Sequence, residues 1–174
     1  THGSKTQVKI NDQPCKSTSE VATILPLIFM DTNTHRSFAS TPKIRRNFLN
    51  WCCFYSFKNH AEYLRCYSRI LLQRNHFLKQ STSASQAQMS SWNEPFIYYA
   101  EHIHKERLLI LTQLKESLQH IWPELSPCFA KDITIDYSQG WPKDKCLKTC
   151  LENSINQDIA YGHTQYGPHR GDLR

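Results

Sequence analysis

Two groups of basic residues and one short cluster near the end of the chain carry the chemistry that can be read from this sequence. Lys43, Arg45 and Arg46 fall close together, and Arg65, Arg69 and Arg74 follow in the next apolar-periodic stretch. Arg65 and Arg69 stand i, i+4, a spacing that puts two side chains on one helix face. Such a face can neutralise nucleic-acid phosphates, each contact steepening the salt dependence of binding. The same arginines can equally pair with Glu62, Glu101 and Glu106, or simply stand in solvent. Arg45 and Arg46 lie beside Phe48, Leu49 and Trp51, so their charge sits on an anchored apolar face. That pair can contact DNA backbone, or can pin its helix to another part of the protein through carboxylates. The final stretch, YGHTQYGPHRGDLR, gathers Gly, Pro, His, Arg and Asp. Gly162 and Gly167 permit close approach, and Pro168 fixes a turn that presents His169 and Arg170. Asp172 is placed to pair with one of those two or with a neighbouring backbone amide.

Other chemistry is excluded or weak. No GxxxxGK[ST] loop is present to cradle a triphosphate, and no apolar strand ends in paired acidic residues able to hold magnesium. No Ser/His/Asp or Cys/His set shows a catalytic spacing, so no catalytic residue is expected in this chain. The cysteines number 7, an odd count with no CxxC pair, which argues against a complete disulfide set. Cys146 and Cys150, at i, i+4, can be metal ligands on one helix face. The plainer reading, and the one we favour, is two small half-buried residues of a reduced, cytosolic protein, and we expect no metal. The net charge of +6 suits a polyanionic partner. The most apolar segment, Ala22–Met30, is about half the roughly 20 residues that a membrane span requires.

These residues need elements to position them. Thr6–Asn11 alternates as a strand does, and Asn11-Asp12 is a turn signal. Ser17 with Glu20 reads as a helix start for Thr18–Leu25, which ends before Pro26. Leu27–Met30 reads as a brief buried strand, followed by a loop at Asp31–Asn33. Thr41 caps a helix with Pro42 at its first position. A second helix, Asn59–Gln80, repeats Leu64, Tyr67, Leu71 and Leu78, widened by Ile70 and Phe77. The Ser/Gln-rich stretch 80–93 reads as a polar loop. A third helix, Glu94–Trp122, lines up Tyr99, Ile103, Ile110, Leu114, Leu118 and Ile121, and Pro123 closes it. The second and third helices form a long antiparallel hairpin. Ile133, Ile135 and Tyr137 alternate in a strand that ends at Gly140-Trp141-Pro142, and a last helix runs over Lys143–Asp158.

Four stretches carry a family resemblance. P-K-I-R-R-N-F-L-N-W (Pro42–Trp51), L-L-Q-R-N (Leu71–Asn75) and D-I-T-I-D-Y-S-Q-G-W each resemble segments of the RecF family. Most specific is G-P-H-R-G-D-L, Gly167–Leu173, similar to that family's G-P-H-R-x-D-L motif. The resemblance implies an α+β fold: a helical lobe with the long hairpin, flanked by short strands of an incomplete ABC-type ATPase head. Residues 1–40 would belong to the head, 41–160 to the lobe with a strand at 130–138, and 161–174 would return to the head. It also implies a middle fragment cut from a longer protein, with the phosphate loop before it and the signature and magnesium-binding strand after it. The full protein would then be a weak ATPase using ATP and magnesium, and this fragment would hold no cofactor. The partners implied are DNA at single-strand/double-strand junctions, RecR, RecO and the RecA pathway, and a second copy in a homodimer. The setting implied is recombinational repair and the SOS response in the cytoplasm. On this reading Lys43, Arg45, Arg46, Arg65, Arg69 and Arg74 are candidate DNA contacts. Gly167, Pro168, His169, Arg170 and Asp172 form a head or dimer-interface motif. The sequence departs from the family at Asn50, where Asp is frequent, at Phe29–Thr34, and at Gly171. The alternative is a non-enzymatic helical module that docks a protein partner through residues 80–93 and the hairpin tip.

Overall fold

The computed structural model describes residues 8–15, 18–80, 86–125 and 134–174. The chain divides into two compact units, residues 1–36 and 37–174.

In the first unit, β1 (Lys9–Ile10) and β2 (Gln13–Pro14) pair antiparallel, Lys9 opposite Pro14 and Ile10 opposite Gln13. Asn11 and Asp12 both take positive φ, 49° and 66°, as a two-residue hairpin turn with strand-matched twist requires. The predicted strand's first residues, Thr6 and Gln7, and the predicted cap Ser17 lie outside the described residues. Helix α1 (Thr18–Ile24) stops one residue short of the predicted end. The buried strand expected at Leu27–Met30 is corrected: the segment is irregular, with Leu27 68% and Phe29 87% exposed. Among the described residues no strand pairs with it, and an apolar run gains burial only from a covering layer. Asp31 Oδ1 accepts from the Asn33 amide and the Thr34 hydroxyl, and that turn opens α2 (Thr34–Ser40), a helix the sequence reading did not assign.

The second unit is built on α3 (Pro42–Ser56), α4 (His60–Gln80) and α5 (Gln86–Leu125). Thr41 is the extended N-cap of α3 with Pro42 behind it, although the threonine hydroxyl makes no capping bond. Helices α4 and α5 form the expected antiparallel hairpin. The polar loop expected at 80–93 is corrected from residue 86 onward, where α5 has already begun; residues 81–85 lie outside the described residues. Met89 and Asn93 are buried one turn apart and continue the face of Phe96, Ala100 and Ile103. Ser and Gln hid that periodicity without opposing the helix, since neither is a strong breaker. Pro123 does not close α5, which reaches Leu125.

Of the predicted strand at 130–138, Tyr137–Ser138 is strand β3, which pairs antiparallel with β4 (Asp172–Leu173). Asp136 and Arg174 exchange backbone hydrogen bonds at 2.7 and 2.8 Å, while Ile133 lies outside the described residues. The single helix expected over 143–158 is two short ones, α6 (Leu147–Asn153) and α7 (Ile155–Tyr161), broken at Ser154. One core cluster joins Tyr67, Phe96, Ala100 and Ile103 to Trp141, Leu147, Cys150 and Leu151. A second joins Leu49 and Cys53 of α3 to Ile110, Leu111 and Leu173. Both clusters hold the final segment against the hairpin, so 161–174 sits in the same unit as the helices. The fold is α+β, mostly helical with two small antiparallel sheets.

Candidate functional site: an arginine-held turn and a basic helix face

The 167–171 turn is fixed first by backbone. Gly140, at φ 96°, lies so close that a Cβ there would stand 2.1 Å from the Gly167 carbonyl oxygen. The Gly167 amide donates to the Gly140 carbonyl at 3.2 Å. Gly167 itself has φ 143° and would place a Cβ 2.5 Å from the Tyr67 hydroxyl. Buried Pro168 then opens a 3-10 turn, Pro168–Arg170.

Side chains from three helices hold this turn. His169 Nε2 donates to the Thr164 carbonyl at 3.1 Å, and its Nδ1 accepts from the Tyr67 hydroxyl at 2.6 Å. Burial and the nearby arginines push the His169 ring down to about 4, so it is neutral near pH 7. Arg45 binds Asp172 with two parallel bonds, Nε–Oδ1 at 2.8 Å and Nη2–Oδ2 at 2.9 Å. Its remaining donors reach the Phe38 and Ala39 carbonyls. The Arg45 guanidinium holds the Asp172 carboxyl below the usual carboxylate range. Arg46 donates to the Gly171 carbonyl at 3.0 Å. Asp172 thus pairs across 127 residues with Arg45, not with neighbouring His169 or Arg170, and it also accepts from the Leu173 amide.

Arg107, which the sequence reading did not single out, is only 2% exposed and anchors the same turn. Its Nη1 donates to the Pro168 carbonyl at 2.9 Å, while Nε and Nη2 both reach Asn50 Oδ1 at 3.1 and 2.8 Å. The signal was present in sequence: an arginine on the apolar face of the third helix, between Ile103 and Ile110.

The six candidate DNA contacts separate sharply. Arg74 is corrected: it is 0% exposed, with Nη1 2.8 Å from Asp158 Oδ2 and Nε on Asn93, so no phosphate reaches it. Burial pushes the Asp158 carboxyl up and Arg74 down, and their attraction opposes both shifts. Arg45 spends its guanidinium on Asp172 and on the Phe38 and Ala39 carbonyls, whereas Arg46 gives one donor, Nη1, to the Gly171 carbonyl and is partly exposed. Lys43, Arg65 and Arg69 are exposed, and among the described residues none of them forms an ion pair. Glu106, one of the acidic residues expected near these arginines, is engaged by buried His60 instead. Arg65, Arg69 and Lys79 share the solvent side of α4 with Leu72, which is 71% exposed. Cys146 is exposed and caps α6, whereas Cys150 is buried in the core cluster. Among the described residues no helix is long and apolar enough to cross a membrane.

No family model matches the chain. Among curated proteins, the DNA replication and repair protein RecF of Nitrosococcus oceani is 33% identical over 167 residues, 96% of this chain and 46% of that protein. RecF of Pseudomonas savastanoi pv. phaseolicola is 34% identical over 170 residues, 97% of this chain and 45% of that protein. A solved structure described as the recombination mediator protein RecF-ATP in the RecFOR pathway superposes with a TM-score of 0.81 at 26% identity. It covers 97% of this chain and 47% of that one. The chain spans about half the length of the curated relatives it matches. The matches extend over nearly the whole of this chain, and the curated relatives and the solved structure together support a fragment of a RecF protein.

Proposed function

We propose that this segment is the DNA-contacting helical lobe of a RecF-type recombinational repair protein. The whole protein would bind gaps and single-strand/double-strand junctions in an ATP- and magnesium-dependent way, as a homodimer in the cytoplasm. With RecO and RecR it would assist RecA loading during repair and the SOS response. The segment itself turns over nothing: its residues do not fit a nucleotide site, since no phosphate loop and no acidic magnesium-binding strand are present in the sequence. ATP hydrolysis would belong to the rest of the protein.

The observation that carries this reading is the α4 face, where Arg65, Arg69 and Lys79 stand exposed without carboxylate partners among the described residues. Free cations at helical spacing meet a phosphate backbone without base selectivity. Lys43 on α3 is a further exposed cation without an ion pair among the described residues. The docking surface of the alternative module is reduced, because Met89 and Asn93 of the 80–93 stretch are buried. The test is a fluorescence-anisotropy titration with junction DNA at several salt concentrations. Replacing both arginines, Arg65→Ala and Arg69→Ala, should lower the slope of log affinity against log salt by about 1.4–1.8. A slope identical to wild type would remove α4 from the DNA interface.

A further inference from the structure

Three guanidinium groups surround the 167–171 turn with no carboxylate to match them. Arg46 and Arg107 donate to the Gly171 and Pro168 carbonyls, and Arg170 belongs to the turn itself and is exposed. Among the described residues the ion pairs use Arg45, Arg74, Arg174 and His60, and none uses these three. Asp172, the acid beside the turn among the described residues, is occupied by Arg45 at 2.8 Å and by Arg174 at 3.4 Å. The Arg107 fork ends on a neutral amide, Asn50. Burial, and then the Arg107 charge, makes Arg46 hold its proton less tightly than usual. Like charges gathered on one fixed turn are costly without a counter-charge, and an external oxyanion supplies it.

We propose that Arg46 and Arg170, backed by Arg107, form an oxyanion site at the 167–171 turn whose ligand is a phosphate group. Three unmatched positive charges suit a multiply charged anion, and the planar guanidinium fork matches phosphate oxygens. Arg107 is too deeply buried to touch the ligand; it holds the Pro168 carbonyl and adds its field from behind. Arg46 is partly exposed and Arg170 is exposed, so these two provide the contacts. The Tyr67–His169 bond keeps the turn rigid, so little ordering accompanies binding.

The 174-residue chain is titrated with pyrophosphate, against sodium chloride at matched ionic strength, by calorimetry and thermal unfolding. Pyrophosphate should bind and raise the melting temperature, and chloride should not. Arg170→Ala, an exposed change that leaves the fold intact, should weaken pyrophosphate binding by about tenfold or more. Arg46→Lys, which keeps charge but loses the fork, should weaken it to a smaller degree. The Arg65→Ala/Arg69→Ala variant should bind pyrophosphate as wild type does, which separates this site from the α4 face. Displacement of pyrophosphate by oligothymidylate assigns the phosphate to a nucleic-acid backbone, and binding that resists it assigns a free phosphate. No measurable binding, or equal affinity in wild type and Arg170→Ala, overturns the proposal.

Discussion

The Tyr67 hydroxyl donates to His169 Nδ1 across 2.6 Å and so ties the middle of α4 to a turn 102 residues further along the chain. The bond needs a neutral imidazole, because a protonated ring has no acceptor nitrogen. Burial enforces that state, with His169 pushed down to about 4.

A pH prediction follows from that. Above the unfolded histidine pKa of about 6.5, both states leave this ring neutral and it adds no pH dependence. Between about 6.5 and 4 the unfolded chain binds a proton that the folded ring refuses, so stability falls as pH falls. The loss from this one ring is on the order of 3 kcal/mol by the bottom of the window. Burial also lowers His60 and His104, which act in the same direction. Urea unfolding at pH 7, 6, 5 and 4.5 measures the slope, and His169→Gln should flatten it by about one proton's worth. An unchanged slope would mean that His169 is protonated in the folded protein.

Asn50 faces the buried Arg107 with a single amide oxygen. Supplying a carboxylate there, Asn50→Asp, should raise stability by about 1 kcal/mol, since a bidentate charged pair replaces a charge–dipole contact in a largely dry site. The opposite change, Asn50→Leu, strands two donors and should cost about 2 kcal/mol or more. Chemical denaturation of both variants checks the pair. A destabilised Asn50→Asp would show that the Arg107 charge is already balanced.

Gly140 is held at φ 96° with the Gly167 backbone directly where a Cβ would go. Gly140→Ala therefore forces the turn away from α5 and should cost about 3 kcal/mol, combining a forbidden backbone conformation with a steric clash. Gly162 also has positive φ, 66°, as the C-cap of α7, but its nearest neighbour is the flexible Lys79 side chain at 3.1 Å. Gly162→Ala should cost only about 1 kcal/mol. Melting temperatures that rank the two variants the other way would contradict the close packing at the turn.

The hairpin was legible in the sequence because apolar residues at 3.6-residue spacing must share a face, and Tyr67, Leu78, Ile103 and Ile110 are buried as that spacing required. The limits were physical. Residues 86–93 are helical but rich in Ser and Gln, and the apolar pattern there is sparse, with Met89 and Asn93 buried. Leu27–Met30 has strand composition, yet strand formation depends on a partner that local sequence does not specify. The turn motif was visible as Gly, Pro, His, Arg and Asp, but its partners were not. Arg45 meets Asp172 from 127 positions away, and Arg107 meets Pro168 from 61. Side chains on α3 and α5 converge only after both core clusters pack. Among the basic residues helical spacing held a sorting signal: Arg74, seven positions after Tyr67 and four before Leu78, falls on the apolar face of α4, as Arg107 does on α5, and its burial separates it from Arg69.

That separation yields the sharpest contrast. Arg74 packs its guanidinium 5.8 Å over the Phe96 ring, bonds Thr164 and Asn93, and pairs with Asp158. Asp158 in turn accepts from the Gln165 amide at 3.0 Å. Arg74→Ala leaves a buried carboxylate without its counter-charge and should destabilise by about 3–5 kcal/mol. The pair Arg74→Met with Asp158→Leu removes both charges and should recover most of that loss. Arg69→Ala, five positions earlier on the solvent side, should change stability by less than about 0.5 kcal/mol while weakening DNA binding. Urea unfolding and the junction-DNA titration run on the same variants separate the roles. Weakened DNA binding by the stable Arg74→Met/Asp158→Leu protein at unchanged fold would show that Arg74 reaches DNA after all.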